Sequence, residues 1–202
     1  MAHDLFSAIA TGDLHRLSVL LEAGADPNAR KPVPPQWLAL HEAIEALESN
    51  PSTDSILLLL RHGAHVDGDG GDTPLLMALY RARPEVARIF LAAGADVNVR
   101  GPEGDSPLRW AVQRSDCAMA ATLLRCGGVR TIDEAGGPLG ATALGIAAIR
   151  LDVEMIALLL RFGANANALD IDRMTAQERL PPADASNADL RSLAAHLLSR
   201  AG

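Results

Sequence analysis

The sequence predicts an all-α solenoid of stacked helix-turn-helix units joined by short β-hairpin-like fingers, and two recurring phrases with a common period predict it. The first phrase is Gly24-Ala25-Asp26-Pro27-Asn28, repeated at Gly63 to Asp67, Gly94 to Asn98 and Gly163 to Asn167, with a worn copy at Gly127-Gly128-Val129. An apolar pair precedes each copy: Leu20-Leu21, Leu59-Leu60, Phe90-Leu91, Leu123-Leu124 and Leu159-Leu160. The second phrase is Thr73-Pro74-Leu75-Leu76-Met77-Ala78, with copies from Ser106 to Ala111 and Thr142 to Ala147 and weaker ones from Leu38 to Ala43 and at Thr175-Ala176-Gln177. The steps between first residues are about 35, 33, 36 and 33 residues, the spacing of a repeat array.

The elements follow in chain order. The stretch from about His3 to Gly24 has helical spacing and no finger, as a terminal cap requires. Leu38 opens a first helix, and about four extra residues near Ser49 to Asp54 lengthen the turn before its partner. Thr73 and Ser106 cap the next first helices through their hydroxyls, and Pro74 and Pro107 stand at the first helical position, where no amide hydrogen bond is lost. Val86, Ile89, Phe90 and Leu91 space the apolar face of a second, antiparallel helix. Ala78, Ala111 and Ala147 let neighbouring helices approach closely. The five phrase glycines fall where a left-handed residue ends the second helix. Asn28, Asp67, Asn98 and Asn167 then turn the chain into a finger. The fingers differ: Arg30 to Pro35 is stiff, Asp67 to Asp72 short, and Glu134 to Pro138 long. A Pro-rich stretch from Leu180 to Ser186 precedes a closing helix over Asp189 to Ser199.

These phrases and their register resemble those of the ankyrin-repeat family over nearly the whole chain. The resemblance implies a single domain, residues 1–202, in units of about 1–25, 26–64, 65–95, 96–128, 129–164 and 165–202. It implies a noncatalytic protein-binding role exercised through a concave face made of finger tips and the exposed edge of each first helix. His41, the copy of the family's Thr-Pro-Leu-His histidine, is then scaffold. Bacterial members of this size include neutralisers of secreted toxins, host-directed effectors and accessory proteins of stress enzymes. A small acidic binder suits the neutralising role best, with a self-assembling scaffold as the rival reading. The almost exclusive use of arginine, with Lys31 the one lysine among 18 basic residues, agrees with a GC-rich bacterial genome.

Composition narrows the field further. Hydrophobic residues make up 49% and charged residues 21% of the chain, the profile of a globular protein. The longest aliphatic run, Ile56 to Leu60, is far below the roughly 20 residues that cross a bilayer. The first residues show no secretory leader. The expected setting is the cytoplasm, with no membrane partner and a monomer when free. A net charge of −7 and a pI near 5.3 oppose binding to a phosphate backbone, so nucleic acid is not an expected partner.

No reactive constellation emerges. Cys117 and Cys126 lie at opposite ends of one helix, about 13 Å apart at ~1.5 Å per residue, too far for a disulfide. Neither cysteine nor histidine spacing makes a zinc site. His62 and His65 flank a helix end as capping residues, and His3, His15 and His196 have no nucleophile in a motif with them. Gly68 to Gly71 lacks the lysine of a phosphate loop, and Asp67, Asp69 and Asp72 lack the closing glutamate of a calcium loop. No cofactor or metal is expected, and the chain is not expected to be an enzyme.

The candidate partner-binding residues occupy repeated offsets. Just before each capping position stand Trp37, Asp72, Asp105, Ala141 and Met174. Trp37 follows Pro34 and Pro35 on the stiff finger and either meets a partner or folds back onto the neighbouring finger or the first unit. Seven and eight residues beyond Thr73 are Tyr80 and Arg81; the same offsets give Gln113 and Arg114, then Ile149 and Arg150. Arg81, Arg114 and Arg150 would form a basic helical edge, with Asp69, Asp72, Glu103 and Asp105 as acidic finger positions facing it. Such a surface suits a protein partner bearing both charges.

Overall fold

The computed structural model describes residues 2–68, 73–102 and 104–201. It contains eleven α-helices among the described residues, in two compact units, Met1–Asp96 and Val97–Gly202. The first unit holds α1 (Ala2–Thr11), α2 (Leu14–Glu22), α3 (Ala39–Ala46), α4 (Asp54–Arg61), α5 (Pro74–Tyr80) and α6 (Pro84–Ala92). Each odd-numbered helix pairs with the next as an antiparallel hairpin; α1 packs on α3, α3 on α5, and α2 on α4. The second unit holds α7 (Pro107–Gln113), α8 (Cys117–Arg125), a 3-10 helix (Gly128–Thr131), α9 (Ala143–Ile149), α10 (Val153–Arg161) and α11 (Ala188–Ala201). Here α7 pairs with α8 and packs on α9, α9 pairs with α10, and α10 packs on both α8 and α11.

Helices of seven to nine residues are marginal alone, so burial between neighbours supplies their stability. Leu5, Ile9, Leu17, Leu40, Ile44, Ile56, Leu59, Leu75 and Phe90 are buried in the first unit; Leu108, Leu123, Leu144, Met155, Ile156 and Leu159 are buried in the second. Fully covered Ala8, Ala78, Ala111 and Ala147 keep the helices close, as the alanine spacing predicts.

The caps follow the phrases. Thr73 Oγ1, Ser106 Oγ and Thr142 Oγ1 accept the backbone N–H groups of Leu76, Arg109 and Gly145. At the second helices Asp13, Asp116 and Asp152 accept those of Arg16, Met119 and Met155. At the helix ends Gly24, Gly63, Gly94, Gly127 and Gly163 all have φ between 88° and 105°, a left-handed conformation that glycine adopts without steric cost. The N–H of Ala25, Ala64, Ala95 and Ala164 then reaches back to Leu20, Leu59, Phe90 and Leu159, closing each helix with a Schellman bond. The turns inside the hairpins are less expected. Ala82, Ser115 and Leu151 hold φ of 51–54° where the first hairpin has Gly12 at 68°, at roughly 1–2 kcal/mol for each side chain.

Asn28 and Asp67, which the sequence presents as turn formers, have a second role that Asp133 shares in a later repeat. Asn28 Oδ1 accepts the His65 N–H at 2.7 Å, Asp67 Oδ1 that of Asp96 at 2.8 Å, and Asp133 Oδ1 that of Asn165 at 2.8 Å. Each acceptor reaches the backbone two residues after the next phrase glycine, so it ties one repeat to its successor.

The copy beginning at Thr175 departs from expectation. Thr175 and Glu178 form a reciprocal capping box, Glu178 Oε2 accepting the Thr175 N–H and Thr175 Oγ1 the Glu178 N–H. No helix follows; the chain makes a turn that ends at Leu180. Pro181 and Pro182 lack N–H groups, and Pro181 steers Leu180 out of helical space. The closing helix is α11, two residues longer at its C-terminal side than the pattern suggests and one at its start.

A carboxylate holds the preceding finger. Asp170, buried, accepts Arg179 Nε at 2.6 Å and the backbone N–H groups of Asp172 and Met174 at 2.9 and 3.0 Å. Burial would raise its pKa, but Arg179 and the two amides outweigh it and hold the carboxyl below the usual carboxylate range. A depressed folded pKa means the stabilisation is complete above the unfolded value near ~3.9 and is lost as pH falls through the folded value. Urea midpoints are expected to fall less steeply below about pH 4 in Asp170→Asn than in the unmodified protein. Parallel curves would remove Asp170 from the acid transition.

Candidate functional site

The stiff finger is built as a closed loop. Arg30 and Leu38 form an antiparallel bridge, the Lys31 N–H donates to the Trp37 carbonyl at 2.8 Å, and the Trp37 N–H donates to Pro35 at 2.7 Å. Arg30 Nη1 reaches the Gln36 carbonyl at 3.0 Å, while Lys31 Nζ meets both carboxylate oxygens of Glu42 on α3 at 2.8 Å. The finger therefore presents Trp37 from a pinned backbone.

Trp37 is half-buried. With His41 of α3 and Met77, Tyr80 and Arg81 at α5, it lines a cleft of about 150 Å³. His41 and Met77 are buried, whereas Tyr80 and Arg81 are exposed. Arg81 is the C-cap of α5, and its Nε donates to Glu45 Oε1 on α3. That bond and the Glu45 charge raise the guanidinium's pKa. Three residues singled out by offset, Trp37, Tyr80 and Arg81, are thus brought together. His41 and Met77 join them without having been marked, since each reads as scaffold or core in its phrase.

In the second unit Arg114 and Arg150 are the C-caps of α7 and α9, equivalent to Arg81 in the repeat. A cation there complements the helix dipole. Arg114 also lies over the Trp110 ring, 5.0 Å from its centroid; Arg150 and Ile149 are exposed.

Asp105 does not belong to an open acidic finger. It is buried, and its Oδ1 accepts Arg109 Nε and Gln113 Nε2, each at 3.4 Å. Gln113 is correspondingly turned toward the scaffold. The reason is Arg109, fully covered at 0% exposure. Its Nη1 donates to the carbonyls of Glu134 and Ala141 and its Nη2 to that of Gly136, so one guanidinium gathers the finger at 134–141. Burial lowers its pKa against the opposing Asp105 charge. Gly137 permits the approach: a Cβ there would stand 2.3 Å from Asp105 Oδ1. Arg100 pairs with Glu134 on the same finger. Asp69, Asp72 and Glu103, the other expected acidic positions, lie outside the described residues.

The sequence left apolar finger residues unmarked. Leu139, Leu169 and Ile171 are exposed, Ile171 at 72%, and the Ile171 N–H donates to the Gly140 carbonyl at 3.0 Å. Their signal was a break in the polar pattern of the fingers. Cys117 is half-buried and Cys126 exposed, both free thiols. Burial, aided by Asp152, Glu154 and Asp116, pushes the Cys117 thiol up to about 11, which suppresses its nucleophilic form. Among the described residues no group of three His, Cys, Asp or Glu could hold a metal ion, and no helix is long and apolar enough to cross a membrane.

Comparison with known proteins agrees with this architecture. A family model described as ankyrin repeats (3 copies) matches residues 5–101 and 44–135, and an ankyrin repeat model matches 139–171. No curated protein matches the sequence. An ankyrin repeat domain from Acinetobacter baumannii is 27% identical with a TM-score of 0.79, covering 98% of this chain and 97% of that one. A chain in the structure of a predatory endopeptidase from Bdellovibrio bacteriovorus in complex with an immunity protein is 25% identical with a TM-score of 0.70, again over 98% and 97%. The ankyrin repeat domain of Bcl-3, a member of the IkappaB family, shares the fold at 23% identity and a TM-score of 0.76, over 96% of this chain and 81% of that one. Repeats of this kind form a protein-interaction module on a noncatalytic fold, and the chain belongs to the ankyrin-repeat family.

Proposed function

We propose that the chain, acting as one ankyrin-repeat domain, binds a partner protein, a toxin or an enzyme, and neutralises it. The observation that carries this reading is the near end-to-end likeness to a chain in the endopeptidase–immunity protein complex. The surface supports it: Trp37, Tyr80 and Arg81 meet at one cleft, Arg114 and Arg150 cap first helices, and Ile149 is exposed beside Arg150. Tryptophan, tyrosine and arginine are the residue types that anchor protein interfaces. Asp105 and Gln113 act instead through the finger that Arg109 holds. The test is capture of the partner from the source, its identification, and an assay of its activity with increasing amounts of this protein. Loss of activity at one-to-one stoichiometry is expected. A captured enzyme that works unchanged when saturated would replace neutralisation with scaffolding.

A further inference from the structure

The cleft between Trp37 and Tyr80 has a chemistry that specifies its guest. At about 150 Å³ it is smaller than the ~300–1,000 Å³ of sites that enclose a cofactor or substrate, and it suits one side chain. Its walls are two aromatic rings, a thioether and an imidazole, contributed by Trp37, Tyr80, Met77 and His41. Aromatic and sulfur–aromatic contacts favour an aromatic guest over a plain aliphatic one. Among the described residues that line the cleft none is a carboxylate, and Arg81 carries the guanidinium at its edge. The Arg81 Nε is held by Glu45, and a guanidinium offers five N–H donors, so the Glu45 bond orients the fork and leaves donors for a second anion. The finger behind Trp37 is pinned by the Arg30–Leu38 bridge and the Lys31–Glu42 pair, which lowers the ordering cost of binding.

We propose that this cleft captures the C-terminal residue of the partner, an aromatic side chain seated between Trp37 and Tyr80 with its own terminal carboxylate on Arg81. This rests on the protein-binding reading above and names the partner's anchoring chemistry. An apolar residue within a chain carries no carboxylate, whereas a chain end supplies the ring and the charge on one residue, matching a cleft with a guanidinium at its edge.

The test needs no identified partner. N-acetylphenylalanine, its amide, and the blocked dipeptide N-acetyl-Phe-Asp-amide are titrated against the folded protein while NMR follows the Trp37 indole N–H and the Met77 methyl. The free acid is expected to shift both signals saturably and to bind about two- to fivefold better than the amide. Arg81→Gln should erase that preference, and Glu45→Gln, which removes a competing carboxylate from Arg81, should increase it about twofold. Both substitutions are at the helix surface, and unchanged helicity confirms the fold. Equal binding of acid and amide, or tighter binding of the dipeptide, overturns the chain-end assignment. Absence of any saturable shift overturns the pocket itself. Retention of a captured partner in that case leaves protein binding intact, so the two failures are distinguishable.

Discussion

Arg109→Ala is expected to cost the protein about 3–5 kcal/mol of folding stability, the range for removing one partner of a buried ion pair. The side chain is fully covered, and three carbonyls, those of Glu134, Gly136 and Ala141, converge on its two terminal nitrogens while Asp105 faces its Nε. Alanine would leave the Asp105 carboxylate buried without its cation and the three carbonyls without a donor, in a site too covered for water to replace them fully. Lysine is a poor substitute because one ammonium cannot span donors set by a planar fork. Since domains are stable by only ~5–15 kcal/mol, the loss is a large share of the total. Urea unfolding followed by Trp110, one residue away on α7, measures it. Asp105→Ala in the Arg109→Ala background should cost much less than in the unmodified protein, because the guanidinium it would otherwise leave unpaired is then already gone. Additive losses would show that Arg109 acts through its carbonyl bonds alone.

The same residue marks where reading the sequence stops short. Repeat period, caps, helix-ending glycines and small packing residues were legible because each depends on local backbone chemistry: Thr73 caps α5 whatever lies around it. Arg109 sits in the phrase where its relatives carry Leu76 and Gly145, and nothing local tells that its guanidinium turns inward. That follows from the long finger at 134–141, whose carbonyls need a donor, a relation about 30 residues apart. The failed helix after Thr175 has a local cause that was present but outweighed by register, namely Pro181 and Pro182. Of the surface, Trp37, Tyr80 and Arg81 could be placed by offset because offsets within a repeat become neighbours when repeats stack. Met77 and His41 could not, because a buried residue that walls a cleft and one inside the core have the same spacing.

Trp37→Ala is expected to weaken the captured partner's binding by about 30- to 1,000-fold, the ~2–4 kcal/mol of an interface hot spot. The argument is positional. Its indole is half-buried before a partner arrives, so much of its rotamer freedom is already lost, and the pinned finger adds little ordering cost on docking. A guest in the cleft would cover the remaining face and exclude water from Tyr80 and Arg81 together. Arg150→Ala, by contrast, removes an exposed helix-capping charge and should change affinity by less than about fivefold, mainly through the association rate. Calorimetry or surface-binding kinetics on the purified pair separates the two. A large loss confined to the dissociation rate of Trp37→Ala fits an anchor residue. Equal, small effects at both positions would move the interface away from the first finger, and the exposed apolar fingers of the second unit, Leu139, Leu169 and Ile171, would become the surface to substitute next.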